Sequence, residues 1–118
     1  MKGVLLMNKL DIIQGLLMSR DLMLFDPSNG EDLSICQLEE KEQEFVKLCE
    51  WSVSYMHGKI DDTFTKEEAM NRLEDILPEW EEASKLNDLN DTTYQSLKYV
   101  CEQLKYDLLN DMYWSKFF

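Results

Sequence analysis

Apolar residues recur at helical spacing in four separate stretches of the chain, and this periodicity constrains the fold more than any other feature. Each stretch places its apolar residues on one side of a helix with 3.6 residues per turn. The chain of 118 residues has only four Gly and two Pro, fewer turn residues than an all-β fold needs. We therefore predict an all-α fold, a compact irregular bundle of four to five helices. The predicted core stripes are Leu10, Ile13, Leu17 and Leu24; Leu38, Phe45, Cys49, Ser52 and Met56; Ala69, Leu73, Ile76, Trp80 and Ala83; and Leu97, Cys101, Leu104, Leu108 and Met112.

Local signals predict the bounds of the first two helices. The first spans residues 8–25, with Ile12, Leu16 and Met23 widening its stripe, and Gly15 favours a break near Ser19. Residues 26–30, Asp-Pro-Ser-Asn-Gly, form the clearest turn in the sequence. The second helix spans residues 38–57, and the following glycine at position 58 suits its C-terminal cap.

The last two helices have equally specific signals. Thr65-Lys66-Glu67-Glu68 is a capping box that opens the third helix. The apolar stripe of this helix keeps its phase across Pro78, which itself lies on the polar face. We therefore predict one helix that is kinked at Pro78. A polar turn at residues 87–91 precedes the fourth helix, which is predicted to begin at Asp91 or Thr92.

Length and cysteine content favour one domain in a reducing compartment. The chain has the usual size of a single domain, and we predict that residues 1–118 form one helical domain. Cys36, Cys49 and Cys101 are odd in number and form no Cys-x-x-Cys pair, which favours a cytoplasmic location. No apolar run reaches membrane-spanning length. Met1 and Met7 are both possible natural starts.

The acidic charge is concentrated in two segments. The net charge is −12; residues 26–50 hold eight acids and two bases, and residues 61–91 hold eleven acids and three bases. Such a surface repels phosphate backbones and anionic membranes, which argues against direct nucleic-acid binding and membrane binding. A basic protein partner is the natural complement.

The sequence contains no convergent catalytic or metal-binding motif. His57 is the sole histidine, which excludes metal sites built on paired histidines. Glu39-x-x-Glu42 resembles the first half of the metal motif of all-helical nucleotide pyrophosphohydrolases. That family continues with Glu-x-x-Asp, whereas this chain has Asn71 three residues after Glu68. We therefore predict a protein that is not an enzyme and uses no cofactor or metal; an enzyme with an unusual carboxylate site is the last alternative.

The predicted third helix carries an acidic face opposite its apolar stripe. Like charges at this density repel each other and destabilise a helix, so the cluster favours a role in binding a cationic partner, with solubility as the alternative. Arg72 is the one base near this face in the helical projection. The predicted partner-binding acids are Glu67, Glu68, Glu74, Asp75, Glu79, Glu81 and Glu82.

A second candidate surface is a tyrosine stripe on the predicted fourth helix. Tyr99, Tyr106 and Tyr113 recur every seven residues on the side opposite the Leu97 and Leu104 stripe. Exposed tyrosines at this spacing are good binding anchors. The alternative, a helix buried on both sides, fits the sequence equally well.

The connection between the second and third helices carries a resemblance. Residues 55–60, Tyr-Met-His-Gly-Lys-Ile, followed by residues 65–69, Thr-Lys-Glu-Glu-Ala, resemble helix connections of small acidic bacterial toxin-immunity proteins, both colicin-type and those of contact-dependent inhibition systems. The resemblance implies an inhibitor that binds a cognate toxin domain, and it transfers no residue roles. Since nuclease sites are basic, a nuclease toxin is the favoured target. Alternatives are a phage-encoded inhibitor of a host nuclease or defence complex, and a helical subunit that assembles through the tyrosine stripe.

Overall fold

The computed structural model describes residues 8–26, 30–34 and 37–115, with backbone only for residues 26, 32 and 113–115. Four helices account for most of these residues: α1 (Lys9–Leu24), α2 (Glu40–Met56), α3 (Lys66–Ser84) and α4 (Asp88–Ser115). The predicted all-α fold class is therefore confirmed. None of the described helices has the length and apolarity that crossing a membrane requires.

Side-chain caps fix the beginnings of the helices. The Asn8 side-chain oxygen accepts the backbone N–H of Asp11 at 2.9 Å, which begins α1. Thr65 Oγ1 accepts the backbone N–H of Glu68 at 3.1 Å, while the Glu68 carboxylate accepts the N–H of Thr65. These reciprocal bonds satisfy donors that have no partner inside the helix. The predicted capping box at Thr65 is confirmed.

The chain divides into two compact units, Met1–Lys59 and Ile60–Phe118. In the first unit, α1 packs against α2, and a ladder of two residues on each side, β1 (Phe25–Asp26) and β2 (Glu31–Asp32), follows α1. The sequence predicted no strand here. The predicted α2 stripe is buried throughout, and Gly58 at φ +72° follows the helix as predicted. Residues 27–29 of the predicted turn lie outside the described residues.

The predicted core face of α1 is partly wrong. Leu10 is 61% exposed, and Leu17 and Leu24 are only half-buried, whereas Ile12 and Leu16 are fully buried. Apolar residues surround most of this helix, so their spacing could not decide which side packs. The break near Ser19 is also wrong, because α1 continues through it.

In the second unit, α3 and α4 form an antiparallel hairpin. Three polar contacts fix its register along the helix pair: Lys66 with Asp111 at 3.8 Å, Glu74 with Lys105 at 3.6 Å, and Tyr94 with Glu81 at 3.0 Å. The fully buried residues of the two helices are Ala69 and Leu73 on α3, and Ser96, Leu97, Val100, Cys101 and Leu104 on α4.

The structure corrects the predicted start of α4 and the predicted burial of Met112, and it confirms in part the prediction for α3 at Pro78. The helix begins at Asp88, earlier than predicted, because the Asn87 side-chain oxygen accepts the N–H of Asn90 at 2.8 Å and caps it. Met112, a predicted core residue, is 64% exposed. The α3 helix runs without interruption through an exposed Pro78, as predicted, and the kink itself stays a prediction.

Candidate binding surface

All seven predicted partner-binding acids of α3 are exposed. At 100° per residue they fall into two rows. Glu67, Glu74 and Glu81 recur every seven residues on the flank that reaches α4. The second row, here named the acidic stripe, lies farther from α4 and consists of Glu68, Asp75, Glu79 and Glu82.

The flank row is partly neutralised by α4. Lys105 Nζ lies 3.6 Å from the Glu74 carboxylate, and the Tyr94 hydroxyl donates to Glu81 at 3.0 Å. Burial and the bond to Glu81 raise the pKa of Tyr94, so the phenol stays protonated as a donor. These contacts indicate that Glu74 and Glu81 serve the hairpin as well as the surface.

The prediction that Arg72 alone balances these acids is wrong. The Arg72 guanidinium lies 5.0 Å from the centre of the Phe64 ring, a cation–π arrangement. Two further bases lie beside these acids: Lys105 contacts Glu74, and Lys85 Nζ lies 3.2 Å from the Glu82 carboxylate, one helical turn earlier. Because both groups of this pair are well exposed, it contributes little to stability and can yield to a partner.

Asp75 and Glu79 form the least neutralised part of the acidic stripe. Their carboxylates stand four residues apart on one side of α3, close enough to repel each other. Within the described part of the chain, neither carboxylate takes part in a hydrogen bond or an ion pair, and the same holds for the carboxylate of Glu67 on the flank row. The middle of α3 therefore presents uncompensated negative charge to water.

The tyrosine stripe of α4 is not uniform. Tyr106 is 62% exposed, whereas Tyr99 is half-buried. The Tyr113 side chain, like those of residues 114–118, lies outside the described side chains. Tyr106 is thus a usable surface anchor, and the structure does not bring all three rings together as one exposed patch.

Residues that could serve catalysis or metal binding are dispersed. His57 caps α2 at the surface, and Glu42 accepts the backbone N–H of Glu39 at 3.2 Å, which gives this pair a role in helix capping. Burial raises the pKa of the Cys49 thiol to about 12 and also raises that of Cys101. Cys36 lies outside the described residues. Nowhere in residues 8–26, 30–34 or 37–115 do three His, Cys, Asp or Glu residues approach closely enough to hold a metal ion.

The structure shows a shallow apolar groove on α1 that the sequence does not predict. It is lined by Gln14, Leu17, Met18, Asp21, Leu22 and Phe25. These residues lie at positions i, i+3, i+4, i+7, i+8 and i+11, the spacing of one helix face. The spacing is present in the sequence, but the predicted core stripe contains Leu17, so the sequence does not identify this face as surface.

Comparison with known proteins adds no further constraint on this surface. No protein-family model matches the chain, and neither the curated proteins nor the solved structures contain a match to it.

Proposed function

We propose that this protein is a non-enzymatic inhibitor that binds a basic protein through the acidic stripe of α3. The observation that carries the proposal is the pair of uncompensated carboxylates, Asp75 and Glu79, flanked by Glu68 and Glu82 on the same exposed side. Complementary charge accelerates the encounter of two proteins and suppresses wrong partners. The partner surface that complements this negative charge is a basic one.

Within this class, the proposed role is that of an immunity protein that neutralises a cognate toxin domain in the cytoplasm. A nuclease is the favoured target because its substrate-binding surface carries positive charge for phosphate. An acidic helix docked there excludes the substrate electrostatically and sterically. The resemblance of residues 55–60 and 65–69 to immunity proteins supports the same role.

Two alternative roles remain as proposals. A phage-encoded inhibitor of a host nuclease or defence complex would use the same acidic stripe, and the neighbouring genes distinguish it from an immunity protein. A helical subunit that assembles through α4 is favoured by the exposure of Tyr106. A toxin-domain gene directly upstream would support the immunity role, and an operon of metabolic enzymes would contradict it.

The experiment measures association kinetics of the purified protein with the toxin domain encoded beside it, at low and high salt. A triple variant, Asp75→Asn, Glu79→Gln and Glu82→Gln, removes three charges from the acidic stripe. We expect its association rate to fall about tenfold at low salt and the difference to shrink at high salt, because salt screens steering.

A matched control variant, Glu40→Gln, Glu50→Gln and Glu102→Gln, removes the same number of exposed charges elsewhere. Its association rate should stay close to that of the unmodified protein. Equal effects of the two variants would show that net charge alone matters, and wild-type rates that do not respond to salt would contradict the steering argument.

A further inference from the structure

The apolar groove on α1 lies in the least charged helix of a strongly charged protein. In α1, Lys9 and Arg20 balance Asp11 and Asp21, so the helix has two positive and two negative side chains and a net charge of zero. Two copies of a chain with a net charge of −12 repel each other over most of their surface. The α1 face is where this repulsion is weakest and where exposed apolar surface favours contact.

Three pairs of residues along this face are arranged symmetrically about a single point, midway between Leu17 and Met18; the groove residue Leu22 is the exception, because its counterpart Ile13 is buried. Leu10 and Phe25, both exposed large apolar residues, lie at equal distances on either side of that point. Gln14 and Asp21, the two polar residues that line the groove, are also equidistant from it. A two-fold axis through this point would place each residue opposite its counterpart in the second copy.

The pairs formed by that axis are chemically complementary. In an antiparallel arrangement, Leu10 of one copy faces Phe25 of the other, and Leu17 faces Met18. The Gln14 amide of each copy faces the Asp21 carboxylate of the other. Arg20 of the same chain donates to Oδ1 of that carboxylate at 2.9 Å, so the Gln14 amide can donate a hydrogen bond to its second oxygen, Oδ2. A parallel arrangement would instead set Asp21 against Asp21, two like charges at close range.

We propose that the α1 groove is a self-association surface, occupied by α1 of a second copy in antiparallel orientation. Each helix has 16 residues and is about 24 Å long. Because the interface is small, we expect a dimer that dissociates at roughly micromolar concentration. The inference does not depend on the proposed function, because the groove and the acidic stripe lie on different helices.

Charge variants of Gln14 test the register without disturbing the fold, because this side chain is exposed. Gln14→Glu places a carboxylate opposite Asp21 twice in each dimer and should weaken dimerisation about tenfold. Gln14→Lys places an ammonium there twice and should strengthen it about tenfold. Sedimentation equilibrium over a range of concentrations gives the dimer dissociation constant of each variant. High salt should reduce the difference between the two constants, because it screens the charges.

Matched controls are Gln95→Glu and Gln95→Lys, which change the net charge identically at an exposed position on α4. They should shift the dimerisation constant far less than the Gln14 variants. A protein that stays monomeric at every accessible concentration would overturn the proposal, as would Gln14 and Gln95 variants that behave alike.

Disulfide trapping tests the antiparallel orientation of the two α1 helices. The experiment uses a Cys36→Ser background, in which the remaining natural cysteines, Cys49 and Cys101, are buried. Residue 10 lies near the beginning of α1 and residue 25 directly follows its end, about 22 Å away, so a cysteine pair there cannot close within a chain. Leu10→Cys combined with Phe25→Cys should give a covalent dimer on oxidation, and neither single variant should. Rapid dimerisation of Leu10→Cys alone would indicate parallel helices and overturn the register.

Discussion

At the scale of single residues, the best-defined chemical environment is that of Cys49. Its side chain is fully buried in α2, and burial raises the pKa of the thiol to about 12 although the positive charge of Arg20 acts in the opposite direction. The thiolate is the reactive form of cysteine, so this thiol is protected from oxidation and alkylation while the protein stays folded.

The raised pKa predicts how stability responds to alkaline pH. Below the unfolded-state value of 9.0, both states hold the proton and the full free energy of unfolding is present. As the pH rises from there towards about 12, the unfolded chain loses the proton first, so the free energy of unfolding falls. Urea titrations between about pH 8 and pH 11 should show this fall, with a shallower slope in Cys49→Ala.

A second variant separates the contribution of the Cys49 thiol to this pH dependence from that of the Tyr94 phenol. The pKa of Tyr94 is also raised, so its proton makes the same kind of contribution above its ordinary value of 10.0. Tyr94→Phe should therefore change the slope only at the upper end of the pH range. Identical slopes for Cys49→Ala and the unmodified protein would show that the Cys49 thiol is not held protonated by the fold.

At the scale of helices, the sequence correctly predicts the buried side of a helix that has one dominant apolar side. The prediction is wrong for a helix with apolar residues on several sides. The stripe of α2 from Leu38 to Met56 was predicted correctly because charged residues alternate with it clearly. On α1, apolar side chains surround the helix, so the sequence wrongly predicts Leu10 as a core residue and does not indicate the groove. The candidate acids of α3 were predicted as exposed, but their contacts with Lys105 and Tyr94 depend on the hairpin register, which no local pattern specifies.

The two sides of α4 give an element-scale prediction. Leu104 is fully buried, so Leu104→Ala should lower the free energy of unfolding by about 2–5 kcal/mol, through lost burial and a residual cavity. Tyr106 is largely exposed, so Tyr106→Ala should change it by less than about 0.5 kcal/mol. Urea denaturation of both variants checks this, and a large loss for Tyr106→Ala would place that ring in the core.

At the scale of the whole molecule, the division into two units bears on whether the chain unfolds cooperatively. Each of the two units, residues 1–59 and 60–118, is built around one pair of helices. Chains of about 60 residues bury a smaller fraction of their surface than larger domains do and are marginally stable alone. The prediction that residues 1–118 are a single domain therefore has a physical basis that calorimetry can test.

We expect one heat-absorption peak whose calorimetric enthalpy equals its van't Hoff enthalpy, as for a single cooperative domain. Leu104→Ala, which alters only the second unit, should then move the entire peak to lower temperature. Two resolved peaks, of which only one moves in this variant, would show that the units are independent domains.

The left-handed backbone at Gly58 has an evolutionary consequence. With φ at +72°, position 58 has a backbone conformation that residues with a side chain rarely adopt, although a Cβ there would meet no neighbouring atom within 4 Å. The constraint is therefore one of backbone conformation alone, which Asn tolerates and β-branched residues do not. Distant descendants of a common ancestor would keep Gly or Asn here, followed by a Thr or Ser seven residues later, even after their surfaces had diverged beyond recognition.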